Sequence, residues 1–199
     1  MKKIAVAACV LLGLASTAQA AGNPAAGKDK SSLCAACHGA DGNSPVPNFP
    51  KLAGQSQEYI VKQLTEFKAG VRNDPTMSPM AAPLSETDVN DLAAYFSSQP
   101  RAAGVSASAE LAARGQKLYM GGDSSKGLSA CAACHGPQGA GNGPARFPAL
   151  ASQHATYTAT TLQKFKSGER ANGPMMRDIA ARMSDADMQA VSEYMAGVH

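Results

Sequence analysis

The chain has no tryptophan, and only five tyrosines and five phenylalanines are spread over its 199 residues. Any domain it forms has little large apolar surface of its own to bury, so its core is thin. After the N-terminus there is no run apolar and long enough to span a bilayer. Convincing alternation of apolar and polar residues is missing too, which removes organised strands from the expected architecture. Nor does either sign of charge dominate: 18 Lys and Arg stand against 15 Asp and Glu. Without a basic excess and with little aromatic interleaving, nothing supports nucleic-acid binding.

The one apolar run that is present, residues 4–14, follows Lys2 and Lys3 and precedes Ala18-Gln19-Ala20. A basic start, a short apolar stretch and a small-residue cleavage site predict a secretory signal peptide over residues 1–20, with the mature chain starting at Ala21. The alternative is a retained anchor, but the run is shorter than the roughly 20 residues that cross a membrane. Export and the lack of a later apolar span imply a soluble mature protein. Cys9 leaves with the signal. Without Lys2 and Lys3 the balance is 16 basic against 15 acidic residues, or +1.

The four remaining cysteines lie in two identical pentapeptides, Cys34-Ala-Ala-Cys37-His38 and Cys131-Ala-Ala-Cys134-His135. Cys-x-x-Cys-His attaches c-type haem: the thiols add across two vinyl groups of one porphyrin and the adjacent imidazole reaches its iron. Two motifs predict two covalently bound haems. A redox dithiol needs no His after its second Cys, and a four-Cys zinc site would require motifs a domain length apart to converge. The propionates of two haems would turn the near-neutral polypeptide mildly acidic.

The motifs belong to an internal duplication. Phe49-Pro50, Leu52, Gln55, Tyr59, Leu64, Phe67 and Gly70 return 98 positions later as Phe147-Pro148, Leu150, Gln153, Tyr157, Leu162, Phe165 and Gly168. Beyond that the offset is 99, pairing Asn73, Pro75, Met77, Ser85, Asp88 and Tyr95 with Asn172, Pro174, Met176, Ser184, Asp187 and Tyr194. Two similar domains are expected, over 21–99 and 110–199, joined by a linker over 100–109 that contains Pro100 and Gly104. The fold class is all-α, two tandem domains each wrapped around one haem. Helical spacing of Tyr59, Ile60, Leu64 and Phe67 after Ser56 predicts a helix that Gly70 ends. Ser85-Glu86-Thr87-Asp88 and Ser184-Asp185-Ala186-Asp187 read as capping-box starts of a closing helix in each half. Shorter helices are expected over 25–33 and 109–120.

The sixth iron ligand separates an electron carrier from a catalyst, and the repeat chooses among nine Met residues. Met77 and Met176 are the only pair in register, whereas Met80 faces Ile179 and Met175 faces Thr76. The predicted iron ligands are therefore His38 and Met77 in one half, His135 and Met176 in the other. The second ring nitrogen of each His needs an acceptor; a backbone carbonyl near Pro47 or Pro144, nine residues after His38 and His135, is the candidate. His154 and His199 read as surface residues. Charge is uneven: residues 21–100 carry six basic and eight acidic side chains, residues 101–199 ten and seven.

With these motifs, Asp41-Gly42-Asn43, the run from Pro47 to Gln55, and Ala93-Ala94-Tyr95-Phe96-Ser97, the sequence resembles the cytochrome c4 family from Ala21 to His199. The resemblance implies two cytochrome c domains related by a pseudo-twofold axis, with haems facing across the interface. It implies a periplasmic electron carrier between an upstream donor and a terminal oxidase, with possible peripheral membrane association and no catalytic residue. Cys34, Cys37, His38 and Met77 would serve the first haem, and Cys131, Cys134, His135 and Met176 the second. Residues 119–128 lack an equivalent in the first half and are expected to set the second haem edge apart. A dihaem peroxidase, which must open one iron, and a haem subunit of a larger respiratory complex are the rival readings.

Overall fold

The computed structural model describes residues 22–199; the signal peptide expected over 1–20 lies outside the described residues. The N-terminal half contains α1 (Pro24–Lys30), α2 (Ser32–His38), α3 (Gln57–Lys68), α4 (Met77–Ala81) and α5 (Glu86–Ser98). The C-terminal half repeats this order as α6 (Ala109–Gly121), α7 (Ala132–His135), α8 (Ala155–Ser167), α9 (Pro174–Ala181) and α10 (Asp185–Gly197). Among the described residues the only extended pairing is two isolated bridges, Asp123 with Leu128 and Asn142 with Phe147. The all-α reading holds.

Local chemistry explains the helix starts. The Ser56 side chain accepts from the Tyr59 N–H. Ser85 and Asp88, and again Ser184 and Asp187, close full capping boxes at α5 and α10, satisfying N–H groups that have no partner within the helix. One boundary differs from expectation. The helix predicted over 25–33 breaks at Ser31, and the chain restarts as α2, which carries the whole first haem motif.

In each half the first helix crosses the last, α1 on α5 and α6 on α10. Glycine makes that approach possible. A Cβ on Gly27 would sit 2.0 Å from the Asp91 carbonyl oxygen, and one on Gly115 1.9 Å from that of Ala190. Both distances are far inside contact, so only hydrogen fits between the backbones. The N-terminal core gathers Ile60, Leu92, Ala93, Tyr95 and Phe96, with Cys34 packed against it. The C-terminal core is larger: Leu118, Tyr119, Leu162, Phe165, Met183, Met188, Val191 and Met195, among others, with Cys131 and Met176 packed against it.

The halves meet through side chains related by the repeat. The Gln55 amide bonds both backbone groups of Ala149, accepting from its N–H at 2.9 Å and donating to its carbonyl at 3.0 Å. Gln153 returns the same pair to Lys51, at 2.9 and 3.0 Å. Because Lys51 and Ala149 are themselves 98 positions apart, the two exchanges are copies of one contact across a pseudo-twofold axis. A second layer surrounds Gln63. Arg170 donates to the Tyr59 hydroxyl at 2.8 Å and to Gln63 Oε1 at 3.0 Å; Arg72 donates to Gln63 Oε1 at 2.6 Å. Each guanidinium lies over a ring of its own half, Arg72 on Phe67 and Arg170 on Phe165, 4.4 and 4.5 Å from the centroids. Burial pushes the Tyr157 phenol up, but the guanidiniums of Arg72 and Arg170 outweigh it and draw its pKa below the usual value. His154 is half-buried in this interface, donating to the Ser44 carbonyl at 2.8 Å, which corrects its reading as a surface residue. Its imidazole is one more bond between the halves. His199 is exposed.

Candidate functional site

Each haem motif sits on a short helix whose last residue is the histidine. One turn of helix brings the two thiols and the imidazole into one neighbourhood, since positions three and four apart share a face. None of the four cysteines is paired in a disulfide; Cys34, Cys37 and Cys131 are half-buried and Cys134 is exposed. Burial pushes the thiols of Cys34 and Cys131 up, the latter to about 11, so neither is a ready thiolate in the bare polypeptide. The two motifs do not converge: no group of three or more His, Cys, Asp or Glu among the described residues could share a metal ion.

The histidines are held alike. Nδ1 of His38 lies 2.9 Å from the Pro50 carbonyl oxygen, and Nδ1 of His135 2.9 Å from that of Pro148. A carbonyl only accepts, so Nδ1 bears the proton in both rings and the Nε2 lone pair is free for a metal. Both rings are buried, and burial lowers their pKa despite the carbonyl, which keeps the imidazole neutral and coordinating. The acceptors are thus three and four residues past the expected Pro47 and Pro144. The usable signal was the repeated Phe-Pro pair, because Phe49 and Phe147 also pack near the rings, 6.3 and 6.1 Å between centroids.

The loop after each histidine is pinned by a buried tyrosine, which sequence reasoning missed. Tyr95 donates to the Ala40 carbonyl at 2.8 Å. Its repeat partner, Tyr194, instead packs against Tyr119 with the rings tilted at 57° and centroids 5.5 Å apart, and Tyr119 donates to the Gly136 carbonyl at 2.6 Å. Burial pushes the Tyr119 phenol well up, so it remains a donor. Tyr119 opens the segment that the first half lacks. After it, residues 123–128 form a turn whose Lys126 reaches Asp187 at 2.7 Å.

Met77 is half-buried and begins α4, its N–H donated to Asp74 Oδ1 at 2.9 Å. Met176 is half-buried in the first turn of α9 and shares the C-terminal core with Cys131. The out-of-register candidates face solvent, Met80 at 40% exposure and Met175 at 59%. Paired thiols placed to add to porphyrin vinyl groups, an imidazole anchored through Nδ1 and a thioether form a set that fits a covalently held haem with nitrogen and sulfur donors to its iron. No helix among the described residues is long and apolar enough to cross a membrane.

Comparison with known proteins agrees with the fold and the two attachment motifs. A family model described as cytochrome c matches residues 24–100 and again 112–199. Cytochrome c4 of Stutzerimonas stutzeri is 46% identical over the whole of both chains. That of Thiocapsa roseopersicina is 51% identical over 89% of this chain and 93% of its own. The thiosulfate dehydrogenase electron acceptor of Thiomonas intermedia is 40% identical over 86% of this chain and 81% of its own. The crystal structure of reduced recombinant cytochrome c4 from Pseudomonas stutzeri superposes with a TM-score of 0.86, at 46% identity, over 90% of this chain and all of that one. With fold, tandem layout and paired attachment motifs in agreement, the chain belongs to the cytochrome c4 family of dihaem electron-transfer cytochromes, its haems held covalently on Cys34 and Cys37 and on Cys131 and Cys134.

Proposed function

We propose that the protein is a periplasmic one-electron carrier whose two irons are each closed by a histidine and a methionine: His38 with Met77, and His135 with Met176. The observation that carries this reading is the asymmetry among methionines. The two in register are half-buried, Met176 against its core, whereas Met80 and Met175 are exposed. Bound haem supplies the Fe(II)/Fe(III) couple, with methionine ligation favouring a higher potential than bis-histidine ligation would. The protein holds each imidazole by the Pro50 or Pro148 carbonyl, so the ring does not rotate between oxidation states. Two closed coordination spheres need no catalytic acid or base and leave no site for peroxide, which disfavours the peroxidase reading.

Export would place the carrier in the periplasm, with the two domains over 21–99 and 110–199 diffusing as one body or resting loosely on a membrane. The relatives named as thiosulfate dehydrogenase electron acceptors support a dehydrogenase as one class of upstream donor; a terminal oxidase is the proposed acceptor. Spectroelectrochemical titration of the purified mature protein tests the reading. It should show two one-electron steps with methionine-ligated spectra, and cyanide or peroxide binding by the reduced protein would refute it.

A further inference from the structure

Arg101 belongs to neither copy of the repeat. It lies between α5 and α6, and its guanidinium touches both halves. Nε donates to the Ala53 carbonyl at 2.9 Å and Nη2 to that of Gly54 at 2.7 Å, while Nη1 donates to the Ala151 carbonyl at 3.0 Å. Ala53 and Ala151 stand 98 positions apart, so one side chain holds the same backbone atom of both domains at the pseudo-twofold axis. The segment around it is tied down as well. Asn43 donates to the Pro100 carbonyl at 3.0 Å and accepts from the Ala102 N–H at 2.8 Å, and Lys51 Nζ reaches the Ala102 carbonyl at 3.1 Å. The residues joining the halves are therefore a fitted part, not a tether.

The position of these carbonyls links the clamp to the irons. Ala53 follows Pro50 by three residues and Ala151 follows Pro148 by three, and the Pro50 and Pro148 carbonyls hold the His38 and His135 rings. A continuous path runs from one imidazole through residues 50–53, across Arg101, and through residues 148–151 to the other. No ion pair among the described residues neutralises Arg101. Burial lowers its pKa, and Arg101 in turn adds to the lowering of Lys51. Burying Lys51 and half-burying Arg101 costs desolvation free energy that a neutral linker residue would avoid. What a guanidinium adds is a planar fork able to serve three acceptors in fixed directions.

We propose that Arg101 is a positioning residue for electron exchange between the two haems, setting their mutual placement by clamping the Ala53 and Ala151 carbonyls together. The proposal rests on the reading that His38 and His135 bind the irons. It is tested on the haem-loaded full chain with Arg101→Gln and Arg101→Lys, using three readouts. Hydrogen exchange at the Lys51 and Ala149 amides, which donate across the interface to Gln153 and Gln55, reports inter-domain opening. The bisignate Soret circular dichroism of two coupled haems reports their orientation, and pulsed single-electron reduction reports the inter-haem rate.

For Arg101→Gln, loss of the charge-assisted bonds should raise opening about ten- to a hundredfold, weaken the Soret couplet and slow inter-haem transfer, with each haem's own absorption spectrum unchanged. Lysine, with one ammonium and no fork, should not restore the couplet. A wild-type couplet and rate in Arg101→Gln, or full rescue by Arg101→Lys, would overturn the clamp. Should Arg101→Gln fail to mature, Asn43→Ala loosens the same segment without touching the guanidinium and should weaken the couplet in the same direction; an unchanged couplet there also counts against the proposal. Failure of the underlying reading looks different: the wild-type chain itself would lack two methionine-ligated haems.

Discussion

At the scale of single residues, function rests on which atoms are left free. His38 and His135 commit Nδ1 to a proline carbonyl and leave Nε2 open. Met77 and Met176 are half-buried while Met80 and Met175 are exposed. Replacing Met77 or Met176 by Ala should abolish the methionine-to-iron charge-transfer band of that domain alone and lower its potential by on the order of 0.1 V, within the wide range that axial ligands control. Met80→Ala and Met175→Ala should leave both bands intact; visible spectroscopy with redox titration of the four variants checks the assignment. A lost band in either of the latter two would reverse it. The Pro50 and Pro148 carbonyls were not picked out from sequence because a backbone acceptor has no residue identity of its own. Any carbonyl within reach can serve, and only the path of the chain decides which one does.

At the scale of elements, the pairing of first and last helix carries each half. Gly27→Ala and Gly115→Ala should each destabilise their domain by about 1–3 kcal/mol or more, because the added methyl meets backbone that cannot yield. Gly70 has a left-handed φ of 71° but nothing within 4 Å of an added Cβ, so Gly70→Ala should cost only about 1 kcal/mol of backbone strain. Chemical denaturation of the three holoproteins compares them. The α10 start is also where acid should act. Asp187 is buried; burial pushes its carboxyl up, but Lys126, Ser184 and Arg114 overcome this and hold it well below the usual carboxylate range. A pKa depressed in the folded state adds stability that is fully present above the unfolded value near 3.8 and fades as pH falls through the folded one. The C-terminal domain should therefore weaken below about pH 4. Asp187→Asn should cost about 1–3 kcal/mol at neutral pH and flatten that acid limb, read from thermal melts against pH. An acid limb as steep in the variant as in the parent would remove Asp187 as its cause. These helices and both capping boxes were legible from periodicity and from Ser-x-x-Asp alone. The break at Ser31 was not, since nothing in the apolar pattern separates α1 from the haem motif that follows.

At the scale of the whole molecule, the two irons share one proposed ligand set, so differences between them come from surroundings. The second domain holds more positive charge, ten basic against seven acidic residues from 101 to 199, compared with six against eight from 21 to 100. Positive charge favours the ferrous state, so the haem on Cys131 and Cys134 should have the higher potential. Pairing trims the effect: Arg114 and Lys126 are bound by Asp187, and Arg170 lies in the interface shared by both halves. An offset of some tens of millivolts is expected after screening. Titrating Met77→Ala and Met176→Ala assigns each potential to its domain, and a higher value for the first haem would sink the idea.

Covalent chemistry and repetition were determined by the sequence alone. Cys-x-x-Cys-His is a local arrangement whose reactivity needs only one helical turn, and an offset of 98 residues for the earlier apolar positions and 99 for the methionine and capping positions declares two like domains before any contact is known. Tertiary structure alone decided how those domains are joined. The Gln55 and Gln153 exchange, His154 on Ser44, and Arg101 across Ala53 and Ala151 all bring together groups far apart in the chain. Most of their partners are backbone carbonyls, which every residue possesses. Spacing and residue type carry no record of such bonds, because they exist only once two folded surfaces meet.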